Sequence, residues 1–403
     1  MKPLLRALWV SALLLATPSF GKVKKPSQKA IQLSQGAIVD GHNDLPWTLR
    51  QAGFSDLKID LKKKQPQFHT DIPRLRQGGV GLQFWSAYVP ASSREKGNSV
   101  ELTLEQIDLI RRMVQQYPQD FTLAKTAQEA RDAINRGKIA SMIGVEGGYS
   151  IGQSLGVLRG FYDLGVRYMT LTHSKTIEWA DSATDVEKHG GLTEFGRRVV
   201  REMNKIGMLV DISHVSPKVM KDVLAVSKAP VIASHSSALA VADHVRNVPD
   251  EILRRVKTNG GVVMINFYSA YVNPASVDYW DRYKAFRKKL SATVKDPKEM
   301  DKVMKKWRLD HPMAKGNVEM VLDHIEHVVK VAGIDHVGLG SDYDGVGVLP
   351  EGLEDVSTYP VLTQGLLDRG YGEDDILKIL GGNAFRALEV AEQVSRKLRL
   401  ESH

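Results

Sequence analysis

Eight short apolar runs, each separated from the next by a stretch of helical character, constrain this chain more than any other feature. The runs are 37–44, 80–89, 139–146, 166–173, 208–214, 231–235, 261–267 and 336–342. Helical patterns fill the intervals, among them 102–116, 127–136, 154–164, 193–206 and 217–226, with Thr126 and Ser216-Pro217 as start signals. Strands that alternate with helices build parallel βαβ units. Eight such units over roughly 300 residues is the number that closes a (β/α)8 barrel. The alternative is a doubly wound open sheet, which would carry a glycine-rich phosphate loop after its first strand. Gly147-Gly148 follows the third run and lacks the further glycine spacing such a loop requires. The expected fold class is therefore α/β, a TIM-like (β/α)8 barrel.

No Pro-, Gly- or Ser-rich linker divides the chain, so a single domain over 22–403 is expected. The 42% hydrophobic content is ample for its core. One connection is long. Residues 268–313, after the seventh strand, are rich in charge and carry Tyr271, Tyr279, Trp280, Tyr283, Phe286 and Trp307. They predict a helical excursion over the barrel mouth or at a subunit contact.

Residues 1–21 read as a cleaved signal peptide. Lys2 and Arg6 precede a short apolar core, and Ser19-Phe20-Gly21 is a small-x-small cleavage site. Removal of Lys2 and Arg6 with no acid lowers the net charge from +8 to +6. The remaining basic residues are scattered, without the aromatic interleaving of a single-strand nucleic-acid binder, so no nucleic-acid partner is expected. The chain has no cysteine. That excludes disulfides and a lipid on an N-terminal cysteine, and it leaves any metal to His, Asp and Glu. The C-terminal segment 397–403 is polar, with no lipid-anchor tail. A soluble, exported bacterial protein, periplasmic or secreted and without a stable membrane anchor, is the expectation.

Reactive residues of such a barrel sit at the C-terminal ends of its strands. Those ends read His42 with Asp44, Glu146, His173, His214, His235 and Asp342, with Asp344 just beyond. Alternation along a strand would turn His42 and Asp44 to one side. Imidazole with carboxylate suits zinc or a similar divalent ion. Three or four ligands make one catalytic zinc site, whereas His42, Asp44, Glu146, His214 and His235 are five. Five suggest two ions about 4 Å apart around a shared carboxylate, able to hold a hydroxide between them. Glu146, between the two ligand groups in chain order, is the natural bridge. His324 and His327 have the spacing of one helix face and read as solvated.

The strings Asp40-Gly41-His42-Asn43-Asp44, Gly144-Val145-Glu146-Gly147, Leu171-Thr172-His173, Asp211-Ile212-Ser213-His214, Ser234-His235-Ser236-Ser237 and Gly340-Ser341-Asp342-Tyr343-Asp344-Gly345 occur in that order. Together they resemble the membrane (renal) dipeptidase family, binuclear zinc peptidases of the metal-dependent amidohydrolase superfamily. Arg246-Asn247-Val248-Pro249 and the segment 350–355 extend the resemblance, which runs from about residue 37 to residue 390. It implies two Zn2+ per chain, one on His42 and Asp44, the other on His214 and His235, bridged by Glu146. It also implies that His173 contacts the substrate carbonyl, that Arg246 holds the C-terminal carboxylate of a dipeptide, and that Asp342 is the acid/base. Asp344 could share that work. The implied homodimer would be non-covalent here, since mammalian members are disulfide-linked and glycolipid-anchored and this chain has neither feature.

The implied activity is hydrolysis of dipeptides with a free C-terminal carboxylate by a metal-bridged hydroxide. Zinc lowers the pKa of bound water to about 7, His173 can meet the developing oxyanion, and Asp342 can carry the proton to the leaving nitrogen. A guanidinium grips a carboxylate with two bonds. The alternatives are a sister amidohydrolase acting on N-acyl amino acids and a non-catalytic barrel that binds metal or peptide.

Overall fold

The computed structural model describes residues 25–401; the expected signal peptide lies outside the described residues. Among the described residues nine strands form one parallel sheet: β1 Ile38–Asn43, β2 Val80–Tyr88, β3 Phe121–Leu123, β4 Ile139–Glu146, β5 Val166–Thr170, β6 Leu209–Asp211, β7 Ile232–Ala233, β8 Val262–Ile265 and β9 Val337–Leu339. β2 pairs with β4 from Leu82↔Ala140 to Tyr88↔Glu146, and β1 pairs with both β2 and β9. The sheet thus closes on itself as an eight-stranded barrel wrapped in helices, a (β/α)8 fold. The ninth strand, β3, lies outside the eight: it pairs only with the start of β4, residues 139–141, and β5 takes over along the same edge from Ile143. Three residues are too few to show a period, which is why the sequence reading passed over it.

The strands are apolar on both faces because both are covered. β4 is buried at all eight positions. Leu82 and Phe84, Ala140 and Met142, and Val262 and Met264 alternate along their strands into one inner cluster, which Ala384, Phe385 and Leu388 of the C-terminal helix Asn383–Leu400 join. The intervening Val263 and Ile265 pack outward with the surrounding helices. Those helices begin where cap chemistry dictates. Thr126, Ser154, Thr193 and Ser216 each accept a backbone N–H three residues on.

Four differences from the sequence expectations bear on the site. First, several strands end early, so His173, His214, His235 and Asp342 stand in the loops beyond β5, β6, β7 and β9. His214 and Asp342 have φ of 67° and 65°, left-handed values that turn each side chain out of the strand direction. Second, Asp44 is not a strand residue. It precedes the helix Leu45–Gln51, so a turn, and not strand alternation, brings it to His42. Third, His324 is not on a solvated face. It is fully buried in the helix Val318–Ala332, its Nδ1 accepting from the Ala238 N–H at 3.0 Å and its Nε2 donating to the Val272 carbonyl at 3.2 Å. Fourth, His327 is half-buried and paired with Asp250 at 2.7 Å.

The excursion after β8 is helical, as expected, with helices Ser269–Val272, Tyr279–Leu290 and Pro297–Asp310. Its aromatics form a separate cluster around Tyr268, Tyr279 and Trp307. Through Tyr271 it reaches the cavity at the barrel mouth. No helix among the described residues is long and apolar enough to cross a membrane.

Candidate metal centre and substrate cavity

Glu146 ends β4 on the inward side, two residues after Gly144. A Cβ at Gly144 would fall 2.0 Å from the Tyr168 ring, so only glycine leaves room for that phenol. The Tyr168 hydroxyl donates to the Gly41 carbonyl at 3.1 Å and lies 2.8 Å from His42 Nδ1. With its hydrogen committed, the phenol oxygen accepts from Nδ1–H, and the His42 Nε2 lone pair faces the Asp44 and Glu146 carboxylates. That Nε2 lies 3.2 Å from Asp44 Oδ2 and 3.6 Å from Glu146 Oε2.

On the other side, Glu146 Oε1 lies 3.1 Å from His214 Nε2, 3.4 Å from His235 Nε2 and 3.9 Å from His173 Nε2. One carboxylate therefore presents one oxygen to His42 and the other to three histidines. His214 Nε2 and His235 Nε2 are only 2.8 Å apart. Three sets of donor atoms, each within 4.8 Å of one another, result: His42, Glu146 and His235; Glu146, His173 and His214; and His42, Asp44 and Asp342.

Burial sets the electrostatics. It would raise the Glu146 pKa, but His42, His173, His214 and His235 outweigh it and hold the carboxyl well below its usual range. Burial pushes His214 and His235 well below the usual imidazole value, and the nearby Arg246 charge adds to this, so both rings present neutral lone pairs. Burial would lower His42 too, but the Tyr168 hydroxyl oxygen against Nδ1 and the charges of Asp44 and Glu146 raise it well above the ordinary value. A field that favours a proton there favours a cation equally. The donor set fits divalent cations. His42 Nε2 and Asp44 Oδ1 are buried without hydrogen-bond partners, and imidazole with carboxylate is the matching chemistry.

The open side is a cavity of about 290 Å³ lined by Asp44, Glu146, His173, His214, Tyr271 and Asp342, with Trp47, Tyr88 and Asp344. Asp342 Oδ2 accepts from Asn266 Nδ2 at 2.9 Å. Burial first, then Asp44 and Glu146, push its carboxyl up to about 7 against the opposing pull of His42. Burial also pushes Asp344 up to about 7. Asp344 differs in being tied into the wall: its Oδ1 accepts from the His69 N–H at 2.8 Å, and its own N–H donates to His69 Nδ1 at 2.9 Å. Arg246 is 1% exposed; it donates to Ser236 Oγ and to the His235 carbonyl, both at 3.2 Å, and its Nε has no hydrogen-bond partner. Its guanidinium lies 5.3 Å from the Tyr271 ring centroid, and Tyr271 is the residue of the two that lines the cavity.

Seven of the eight residues expected to form the site thus converge, and Arg246 stands behind them, joined through Ser236 and the His235 carbonyl. Others were missed by the sequence reading. Asn266 follows β8, and the rule that found the remaining positions, a polar residue closing an apolar strand, would have found it. Tyr271 was read only as one aromatic of the excursion. Tyr168 carries no sequence signal, since its role depends on the gap left by Gly144 on a neighbouring strand.

Comparison with known proteins agrees with this geometry. The family model described as membrane dipeptidase (peptidase family M19) matches residues 28–402. Mouse "Dipeptidase 3" is 42% identical over 365 residues, which is 89% of this chain and 65% of that protein, so the chain spans about two thirds of that relative's length. The probable dipeptidase PvdM of Pseudomonas aeruginosa shares the fold, with a TM-score of 0.76 at 24% identity over 91% of this chain and 98% of that one. A metallopeptidase of Rhodobacter sphaeroides, solved with a phosphinate mimic of the dipeptide L-Ala-D-Ala, superposes with a TM-score of 0.72 at 26% identity, over 88% and 99% of the two chains. The chain belongs to the membrane dipeptidase family, peptidase family M19.

Proposed function

We propose that this protein is a binuclear zinc dipeptidase that hydrolyses dipeptides bearing a free C-terminal carboxylate. The observation that carries the reading is the Glu146 carboxylate, with one oxygen toward His42 and the other toward His214 and His235. In this reading His42 and Asp44 would hold one Zn2+ and His214 and His235 the other, with the Glu146 carboxylate shared between them. When bound, the zinc pair supplies Lewis acidity toward the scissile carbonyl and lowers the pKa of water at the site.

The chain's own residues do the rest. Arg246 carries the positive charge that draws the substrate carboxylate, with the Tyr271 hydroxyl beside it at the cavity wall. His173, partly open to the cavity, donates to the carbonyl oxygen as negative charge builds there. Asp342, with a carboxyl near neutrality and its Oδ2 held by Asn266, accepts the proton of the attacking water and returns it to the leaving nitrogen. Asp344, bound on both sides to His69, stays in the wall. The Rhodobacter relative's phosphinate ligand supports a dipeptide as the substrate class.

The same proposal covers the setting. The protein is exported through cleavage of residues 1–21, acts as one domain over 22–403 outside the cytoplasm, and forms any homodimer without covalent links.

The test is turnover of a dipeptide library, with L and D residues at the second position, by zinc-loaded protein, each peptide compared with its C-terminal amide. Cleavage of the free acids and rejection of the amides are expected. Equal cleavage of both would overturn the carboxylate grip, and no cleavage of any dipeptide would overturn the activity.

A further inference from the structure

Two buried aspartates that touch neither the cavity nor the cation-facing atoms make the same set of bonds. Asp211, the last residue of β6, accepts from the Ser213 N–H at 3.0 Å and the Ser234 N–H at 2.8 Å on Oδ1. Its Oδ2 accepts from Ser234 Oγ at 2.6 Å and Thr170 Oγ1 at 2.5 Å. Asp40, in β1, accepts from the His42 N–H at 3.3 Å and the Ser341 N–H at 2.8 Å on Oδ1. Its Oδ2 accepts from Ser341 Oγ at 2.7 Å and Gln83 Nε2 at 2.9 Å. Each carboxylate therefore joins three adjacent strands or the loops that follow them, and grips both the N–H and the hydroxyl of one serine. Each serine is followed at once by a site residue, Ser234 by His235 and Ser341 by Asp342. The two grips touch, for a Cβ at Gly340 would lie 1.9 Å from the Ser234 carbonyl oxygen.

We propose that Asp211 and Asp40 are positioning residues that act through these serines. Asp211 with Ser234 sets which nitrogen of His235 faces the metal centre, and Asp40 with Ser341 holds the backbone from which Asp342 projects. The inference rests on the metal-centre reading above. The Ser234 hydroxyl donates to the Asp211 carboxylate. Its oxygen, 2.7 Å from His235 Nδ1, then accepts, and Nδ1 carries the ring proton. Nε2 is left with its lone pair, directed at His214 Nε2 and Glu146 Oε1. At the second grip Asp342 adopts φ 65°. The Ser341 bonds to Asp40 before it, and its own N–H donated to the His42 carbonyl at 3.1 Å, hold it in that left-handed conformation.

Asp211→Asn tests the first grip. The amide keeps the shape but turns an NH2 toward Ser234 Oγ, which frees the hydroxyl to donate to His235 Nδ1 and moves the ring proton to Nε2. Wild type is expected to bind two zinc ions per chain. Asp211→Asn is expected to bind one at the same protein and metal concentrations, with 15N imidazole shifts of the metal-free protein reporting the exchanged tautomer. If the variant does not fold, Ser234→Ala serves, with an expected loss of about 10–100-fold in affinity for one zinc ion. For the second grip, Ser341→Ala is expected to keep both ions and the dipeptide KM while kcat falls about tenfold or more, the scale on which a misplaced catalytic group loses rate. Wild type that binds no zinc would sink the metal-centre reading itself. Two zinc ions in wild type, retained with unchanged affinity in Asp211→Asn or Ser234→Ala, would overturn the tautomer role. Unchanged kcat in Ser341→Ala would overturn the Asp342 role.

Discussion

At the scale of single residues, the site works by giving like side chains unlike surroundings. Asp342 and Glu146 are both buried carboxylates, yet one is pushed up to about 7 and the other held well below its usual range. The difference is the four histidines facing Glu146. The first is suited to carry a proton and the second to stay charged beside cations. Asp342→Asn is accordingly expected to lower kcat by about 10²–10⁴-fold, the range for a positioned acid/base, with zinc content unchanged by metal analysis. Arg246→Met is expected to raise the dipeptide KM by about 10–100-fold, the value of a charge-assisted bond, with kcat changed much less in steady-state assays. Of these roles, the identities of Glu146 and Asp342 were legible as polar ends of apolar runs. Their protonation states were not, because those depend on groups from five other strand ends.

At the scale of elements, helices fix what loops cannot. The helix Val318–Ala332 uses one buried histidine, His324, to hold both the Ala238 N–H, beyond β7, and the Val272 carbonyl, in the helix next to Tyr271. Burial pushes this ring down to about 4. Above pH 6.5 the ring is neutral in both folded and unfolded chains, and its bonds contribute in full. As pH falls from 6.5 toward 4 the unfolded chain alone takes up the proton, so stability is lost through that window and levels off below it. The span is ~3 kcal/mol. Urea denaturation between pH 7 and pH 4.5 should show the loss, and His324→Gln, which can still donate and accept, should lessen it by this ring's share, the buried rings His214 and His235 keeping theirs. Thr126→Ala should cost about 1 kcal/mol in the same assay, since its hydroxyl oxygen caps the helix Ala127–Asn135 at 3.1 Å. Dipeptide turnover should be untouched at ambient temperature, because that helix lies away from the cavity.

At the scale of the whole molecule, closure of the barrel makes the site. β2 pairing with β4, and β9 with β1, turns a row of strand ends into a ring, so that residues more than 300 apart in the chain, Asp40 and Ser341, share a hydrogen bond. Cations held at the centre of that ring, as proposed, would join strand ends from opposite sides of it and so link metal binding to fold stability. Chelation should abolish dipeptide hydrolysis and lower the thermal midpoint, with both restored by zinc. An unchanged midpoint on chelation would remove the structural part of that link. Reducing agents should not alter assembly, there being no cysteine.

The sequence by itself determined the class of fold, because eight apolar runs alternating with amphipathic helices have few ways to cover both faces of a parallel sheet. It placed His42, Glu146, His173, His214, His235 and Asp342 at the ends of apolar runs, with no such signal for Tyr168 or Tyr271. Tertiary structure alone decided how those side chains are aimed. The left-handed turns at His214 and Asp342, the room Gly144 leaves for Tyr168, the contact of Tyr271 with Arg246, and the serines gripped by Asp40 and Asp211 all lie between segments distant in the chain. Local pattern records what each strand end carries. Only packing across the closed barrel records what it faces.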